Sequence, residues 1–460
     1  MRLAAEAAAA AMDGALEGTP GVARGVSIDT RTLLPGDLFF AIRGPNRDGH
    51  AFVPAALQKG AAGAVVEARG SAGTPEAGQM FLIRVDDTTR ALGALARHRR
   101  LESGARVVAI TGSVGKTTTR AAAAAAIGAA FPVFESRGNW NNHWGLPLSL
   151  LAAEGEPVGV VELGMSAPGE IRDLTAIAVP DCGLITTIAE AHLEFFGSLD
   201  AIAEAKGELY EALPAGATAV VNADDARVKG QADRFSGRRL SYGFSSGTDV
   251  HGAAFRALEG GLEFRASAFG GVGVPVRCRL EGRHNAMNVL AGLAAATALG
   301  VPLAAAAGGV AELAPLPGRG RRIRLPAGAT AIDDTYNANP KAMVAAIRSL
   351  AAAAPGPGGR RVLVAGAMLE LGDDSEALHA RCGRAAAEAG LDLVVGVGAL
   401  GGVVAEAAAG GGAPTATAVD PEAAAVLLAG ALRPGDLALF KASRGVRLER
   451  ALRRLEGEAR

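Results

Sequence analysis

Residues 106–119 read RVVAITGSVGKTTT. A short apolar run rich in valine and isoleucine, RVVAI (106–110), leads into spaced glycines, a lysine and three threonines. A helix-forming stretch follows over 117–130. Strand, glycine loop and helix in this order make a phosphate cradle. Gly112 and Gly115 permit the tight backbone that turns the loop N–H groups, from Ser113 and Val114 to Thr118, toward an anion. The helix N-terminus adds its dipole, Lys116 adds a cation, and Thr117 can ligate Mg²⁺. The usual pattern, G-x-x-x-x-G-K-[ST], asks for glycine five positions before Gly115, where this chain has Ile110. The loop is therefore a shortened one, starting at Gly112. A plain glycine turn with a solvated lysine is the alternative, and the flanking strand and helix argue against it.

The loop alone does not separate ATPase, GTPase, kinase and ligase. A GTPase needs N-K-x-D after a later strand. The nearest stretch is Asn222-Ala223-Asp224-Asp225, with alanine in the lysine position, so GTP is disfavoured.

Outward from the loop, strands alternate with helical stretches, which predicts a doubly wound α/β architecture with a mostly parallel sheet. The chain has 460 residues, enough for two to four domains. Three blocks are expected. Residues 1–85 mix short strands and turns, as in GVSIDTRTLLPGDLFFAI and GAAGAVVE, after an alanine-rich N-terminus read as an amphipathic helix. Residues 86–314 begin with a connecting helix, ALGALARHRRLES (91–103), and hold the loop and the strands VGVVELG (158–164) and DCGLITTI (181–188). Residues 315–460 follow the linker-like LAPLPGRGRR. Their strands are ATAIDDT, RRVLVAGA, DLVVGVG and DLALFKAS, as in a smaller Rossmann-like domain. The AAAA tracts read as helix filler.

Composition narrows the function. A formal net charge of −1 and few aromatics argue against nucleic acid and anionic membranes. Three cysteines about a hundred residues apart, with no CxxC pair, suggest neither a disulfide framework nor a zinc site. No run is long and apolar enough to predict a membrane span. A cytoplasmic setting is expected.

Other stretches carry candidate chemistry. Glu162 ends the strand VGVV, where a carboxylate can hold Mg²⁺ beside phosphate or can simply be solvated. His192 and Lys206 lie in AEAHLEFFGSLDAIAEAKGELYEAL (189–213). By themselves a lone histidine reads as structural, and a helix lysine beside Glu204 and Glu208 reads as solvated. GNWNNHWGLP (138–147), with Asn142, is a polar loop of the ligand-binding kind or an ordered turn. Asn285 in EGRHNAMNVLAG is either a helix N-cap or a contact to a nucleobase.

Taken together, TGSVGKTT, VELG, NWNNHWGLP, HLEFFGS, AKGE and GRHNAMN resemble the Mur ligase family, ATP-dependent enzymes that build the cell-wall peptide. The resemblance covers nearly the whole chain, and the family's own short loop matches the absence of glycine at 110. DTRTLLPGDLFFAIRGPNRDGHAFVPAAL (29–57) is similar to the family's UDP-sugar domain. IDDTYNANPKAM (332–343) and GAMLELG (366–372) are similar to the branch that adds D-alanyl-D-alanine. The motifs DYAHTPD and DNPR, expected of the branch adding a single diamino acid, are missing.

The resemblance implies roles. Gly112, Ser113, Val114, Gly115, Lys116, Thr117 and Thr118 would cradle ATP. Thr117 and Glu162 would hold one Mg²⁺, and His192 with a carbamylated Lys206 a second. Asn285 and Asn288 would meet adenine, Asp334 the ribose and Arg319 the γ-phosphate. Lys441 and Arg444 would approach from the third domain, which would bind the incoming dipeptide. Asn142 would face substrate, and Thr30 and Arg31 the UDP part of UDP-MurNAc-tripeptide. The implied reaction is amide formation through an acyl phosphate, by a monomer that binds no nucleic acid. Two positions depart from the family pattern: Ala367, where aspartate is usual, and Ala442, where glycine is usual.

One stretch points elsewhere. GVGALG (396–401) matches the dinucleotide pattern G-x-G-x-x-G after a strand, with Asp420 further on, which would suit an NAD-dependent oxidoreductase. In a chain with 63 glycines such a match is cheap, and this strand is not the first of its domain. A noncatalytic nucleotide-binding regulator is a further alternative.

Overall fold

A computed structural model describes residues 2–68 and 81–457. Parts of the expected first and third blocks, 69–80 and 458–460, lie outside the described residues. Three main sheets follow one another along the chain.

The first sheet has five strands in the order Ala15–Glu17, Phe81–Val85, Gly63–Glu67, Asp37–Phe40, Gly25–Ser27. Its first pair is antiparallel and the rest parallel. The N-terminal helix is shorter than its alanine content suggests, spanning only Ala5–Ala11. Asp13, at φ 52°, turns the chain, and Ala15–Glu17 becomes an edge strand. Here tertiary pairing overrides helix propensity.

The connecting helix runs Thr88–Ser103. The Asp87 carboxylate accepts the Arg90 N–H at 2.9 Å and caps it, and Gly104 in the left-handed region ends it. Its apolar face joins a continuous core that reaches from Leu38 and Phe40 of the first sheet to Val107 and Ala109 of the second.

The second sheet has nine strands. From edge to edge they are Val274–Cys278, Gly261–Ala268, Val250–Leu258, Arg238–Gly243, Thr218–Asn222, Cys182–Ile185, Arg106–Thr111, Val158–Glu162 and Val133–Glu135. The first two pairings are antiparallel and the others parallel. Arg106–Thr111 is third from one edge and covered on both faces, which is why it reads as an unbroken apolar run. The antiparallel extension over 250–278 is not expected from the sequence pattern, since its strands are half exposed and separated by glycine turns.

Helices Lys116–Gly128 and Arg283–Ala298 cover one face of this sheet, and Glu170–Ala178 and Leu199–Glu211 the other. The first two helices touch backbone to backbone. A Cβ at Gly292 would lie 2.7 Å from the carbonyl carbon of Ala122 and from the amide nitrogen of Ala123. The alanine tracts are therefore a close-packed seam rather than filler.

The third sheet has six strands in the order Arg321–Arg324, Thr330–Asp334, Leu437–Lys441, Arg361–Ala365, Leu393–Val397, Thr415–Ala418. Only its first pair is antiparallel. GVGALG carries the turn from Leu393–Val397 into helix Gly398–Gly410. A Cβ at Gly396 would overlap the carbonyl of Gly401, so these glycines serve close strand–helix approach. Asp420 caps helix Pro421–Ala431 through the Ala423 N–H at 2.7 Å. No helix among the described residues is long and apolar enough to cross a membrane.

Gly292→Val should insert side-chain atoms into the backbone seam. The expected cost is about 1–3 kcal/mol, read as a lower thermal midpoint than wild type; an unchanged midpoint would show that the two helices can part freely.

Candidate active site between the second and third sheets

The phosphate loop is held by sterics. The incoming strand extends one residue further than RVVAI, to Thr111, whose Oγ1 donates to the Leu163 carbonyl at 2.8 Å. Gly112 and Gly115 have φ of 141° and 88°. A Cβ on Gly112 would overlap Thr186 Oγ1, and one on Gly115 would overlap Asn288 Oδ1. Thr186 Oγ1 donates to the Val114 carbonyl at 2.6 Å, and the Ser113 N–H donates to the Thr187 carbonyl at 2.8 Å. The end of the neighbouring strand thus forms one wall of the loop and helix Arg283–Ala298 the other.

A cavity of about 790 Å³ opens over the loop. Its wall includes Ser113, Val114, Gly115, Lys116, Thr117, Thr118, Asn142, Glu162, His192, Lys206, Asn285, Asn288, Arg319, Asp334, Lys441 and Arg444. Gly112 lies beneath the wall, its carbonyl accepting from Lys116 Nζ at 2.7 Å. Thr30 and Arg31 are not brought there. They follow the first sheet's edge strand, where Arg31 forms an exposed pair with Asp29 and the Thr30 carbonyl accepts from Lys59.

Lys206 is not the solvated lysine its flanking glutamates suggest, being only 1% exposed. Burial, then the nearby Lys116, hold its ammonium well below the usual lysine range. Its neighbour Glu208 is buried too and accepts the N–H groups of Gly169 and Arg172 at 2.7 and 3.1 Å. Burial also lowers the pKa of Lys116, with Glu162 opposing the shift and Arg319 adding to it. Glu162 is 2% exposed. Its Oε1 lies 3.3 Å from Arg120 Nη1 but accepts no hydrogen bond. Arg120 itself is tied to the carbonyls of Ser136 and Gly138.

His192 has φ 61°, an uncommon conformation for a non-glycine residue. Its Nδ1 lies 2.5 Å from Glu370 Oε2, a pair that carries opposite charges only when the imidazole is protonated. Burial and Lys206 lower the His192 pKa, and Glu370 opposes them.

Several predicted ligand residues already hold one another. Asn285 lies inside its helix, not at the cap, which is Gly282. Its Nδ2 donates to the Glu281 carbonyl at 2.8 Å, and its Oδ1 accepts from Asn288 at 3.1 Å. Asn142 Oδ1 accepts the Trp144 and Gly145 N–H groups, leaving its amide NH₂ for a ligand. Arg319 Nη2 donates to Thr117 Oγ1 at 3.0 Å and stacks over Tyr336, 4.1 Å from the ring centroid. Lys441 Nζ pairs with Asp334 Oδ2 at 2.6 Å. Arg444 is exposed at the rim beside Glu449.

His284, Tyr336 and Glu370 also line the cavity. They lie inside GRHNAMN, TYNANP and GAMLELG, where no spacing rule singles them out. Ala367 and Ala442 are absorbed by the loop they form. Ser443 N–H donates to the Ala367 carbonyl at 2.9 Å, and Ala442 is buried against Gly366.

The donors suit a hard cation. Glu162, a buried carboxylate, and Thr117, a hydroxyl, line the same cavity. No cluster of three or more His, Cys, Asp or Glu able to hold a metal occurs among the described residues. Mg²⁺ takes one or two carboxylates and completes its shell with water and phosphate oxygens.

Known proteins are similar to this chain over nearly its whole length. The Mur ligase middle domain matches residues 110–296, the Mur ligase glutamate ligase domain 318–444, and the Mur ligase family catalytic domain 22–100. A UDP-N-acetylmuramoyl-tripeptide--D-alanyl-D-alanine ligase of Bacillus subtilis (strain 168) is 37% identical over 437 residues, covering 94% of this chain and 93% of that protein.

The chain belongs to the Mur ligase family.

Among solved structures, MurF from Acinetobacter baumannii superposes with a TM-score of 0.89 at 31% identity, covering 99% of both chains. MurF from Thermotoga maritima in complex with ADP gives 0.82 at 31% identity, covering 95% of this chain and 97% of that one. One buried histidine supports the third-sheet loop that faces the phosphate loop across the cavity. His379 Nε2 accepts the Met368 N–H at 2.8 Å and Nδ1 faces the Ser375 carbonyl at 2.6 Å, fixing the loop that carries Glu370.

Burial lowers the His379 pKa, with the Ser375 carbonyl opposing. The folded chain therefore binds fewer protons than the unfolded chain just below the ordinary value of 6.5. This histidine's contribution is whole above pH 6.5 and declines as pH falls toward the folded pKa. The thermal midpoint should drop between pH 7 and 5, and His379→Gln should flatten that slope; an unaltered slope would contradict it.

Proposed function

We propose that this Mur ligase adds D-alanyl-D-alanine to UDP-MurNAc-tripeptide at the expense of ATP, in the synthesis of the peptidoglycan precursor. The observation that carries the reading is one cavity in which a phosphate loop, the buried Glu162 and Lys206, and Arg319 from the third sheet's leading segment converge. The named relatives support the choice of substrates.

The tripeptide's terminal carboxylate is a poor electrophile, so its oxygen attacks the γ-phosphorus and ADP leaves. Lys116 and Arg319 stabilise the charge that gathers on the transferring group. The amine of the dipeptide then attacks the acyl carbon, loses a proton, and expels phosphate as the amide forms. Thr117 and Glu162 would hold one Mg²⁺, and His192 with Lys206 a second, each supplying positive charge at the phosphate oxygens when bound. Lys206 suits carbamylation because it is buried beside a second lysine, and burial together with Lys116 favours its uncharged amine, the form that attacks CO₂. An acyl phosphate is vulnerable to water, so closure of the third unit over the site would protect it. Asn285 and Asn288 would frame the adenine, Asp334 the ribose, and Lys441 and Arg444 the incoming dipeptide.

Thr30 and Arg31 would take the UDP end. Supporting this, the cavity wall reaches Trp144, whose Cη2 would lie 3.7 Å from a Cβ on Gly44 of the first unit and whose Nε1 donates to Thr89 Oγ1 at 3.1 Å. We place the enzyme in the cytoplasm as a monomer. The units proposed for substrate, ATP and dipeptide are 1–85, 86–314 and 315–460.

Incubation with ATP, Mg²⁺, UDP-MurNAc-tripeptide and D-Ala-D-Ala should give the pentapeptide mass and equimolar ADP. Mass gain with a single amino acid but not the dipeptide would overturn the reading. Glu162→Ala and Lys206→Ala should each lower kcat by about 10²–10³-fold. ¹³C-bicarbonate should give a carbamate NMR signal that is missing in Lys206→Ala; a signal retained there would refute the modification.

A further inference from the structure

Asn222-Ala223-Asp224-Asp225, which lacks the lysine of a guanine reader, has another use in the fold. Asp224 accepts the N–H groups of Phe244 and Ser245 at 2.8 and 3.0 Å. Asp225 Oδ1 caps helix Ala226–Ala232 through Arg227 and Val228. Asp225 Oδ2 accepts from Thr187 Oγ1 at 2.5 Å and from the Ile188 N–H at 3.0 Å. Four donors thus fix this carboxylate at the head of the segment that runs on to His192.

A cation from the third unit sits on it. Lys341 lies in the first turn of helix Pro340–Ala352. Its Nζ is 2.6 Å from Thr187 Oγ1, 3.1 Å from the Ile188 carbonyl and 3.3 Å from Asp225 Oδ2. Thr187 is in turn bonded through its carbonyl to the Ser113 N–H of the phosphate loop. Lys341, Thr187 and Asp225 do not belong to the cavity wall, so this contact joins two units without occupying ligand space.

We propose that Lys341 is a positioning residue, a latch whose seating on Asp225 and Thr187 docks the third unit against the phosphate loop. Docking brings Arg319, Asp334 and Glu370 to the cavity. A cation with three oxygen partners, one of them a carboxylate fixed by its own donors, loses little further entropy on seating. The proposal rests on the ligase reading only for the substrates used as probes.

The test uses the full chain and the variants Lys341→Ala, Lys341→Arg and Thr187→Val. Lys341→Ala should raise KM for ATP about tenfold, lower kcat less, and leave the thermal midpoint unchanged. Lys341→Arg should restore most of the loss. With a nonhydrolysable ATP analogue and UDP-MurNAc-tripeptide, small-angle scattering should give a larger radius of gyration for Lys341→Ala than for wild type. Thr187→Val added to Lys341→Ala should cost little more than either alone. Lys341→Gln replaces the alanine variant if the latter misfolds. Kinetics and scattering within error of wild type for Lys341→Ala would overturn the latch, as would an arginine variant no better than alanine. A wild type that binds ATP but does not ligate would strike the ligase reading instead, and scattering would still decide the latch.

Discussion

Burial of ionisable side chains at the phosphate loop governs this molecule. Lys206 and Glu162 lose almost all contact with water, yet the Glu162 Oε1 accepts no hydrogen bond. A buried ionisable group of this kind is costly unless a ligand or ion completes it. The fold tolerates it because each group sits at the carboxyl end of a parallel strand or on the loop or helix that follows. Lys116 follows Arg106–Thr111, Glu162 ends its strand, and His192 and Lys206 come after Cys182–Ile185. Asp334 and Lys441 end strands of the third sheet. Open parallel sheets collect polar groups at that edge, and here two such edges face one cavity.

Small residues make that edge accurate. The phosphate-loop helix can lie against helix Arg283–Ala298 only because Gly292 and the alanine tract remove side-chain volume from the seam. The same seam brings Asn288 beneath Gly115 and links it to Thr119 Oγ1 at 3.3 Å. Both loop glycines are then required by an identified neighbour, Thr186 on one side and Asn288 on the other. Packing and nucleotide geometry are one constraint here.

The legible parts were those with a local signal. RVVAITGSVGKTTT stated its strand, loop and helix, because apolar runs and glycine spacing act within a few residues. Four of the third sheet's six strands were likewise visible as apolar runs, whereas the edge strands Arg321–Arg324 and Thr415–Ala418 carry no such run. The alanine-rich N-terminus and the half-exposed strands over 250–278 were not, since pairing with distant strands decides them. Lys206 shows the same limit at the level of a side chain. Its sequence neighbours, Glu204 and Glu208, suggested solvent, but burial is a property of the packed helix. GVGALG erred the other way, because glycine for strand–helix contact is indistinguishable by spacing from glycine for a dinucleotide.

The sequence by itself determined the fold class, the shortened phosphate loop and the family resemblance, since these depend on residues close together in the chain. Tertiary structure alone decided which side chains meet. Arg319 reaches Thr117, Lys441 neutralises Asp334, Glu370 faces His192, and Lys341 finds Asp225. It also left Thr30 and Arg31 outside the cavity, on the first sheet. The physical reason is range. Backbone preference is set by neighbours in sequence, whereas charge pairing and burial are set by neighbours in space, and those arrive from separate sheets.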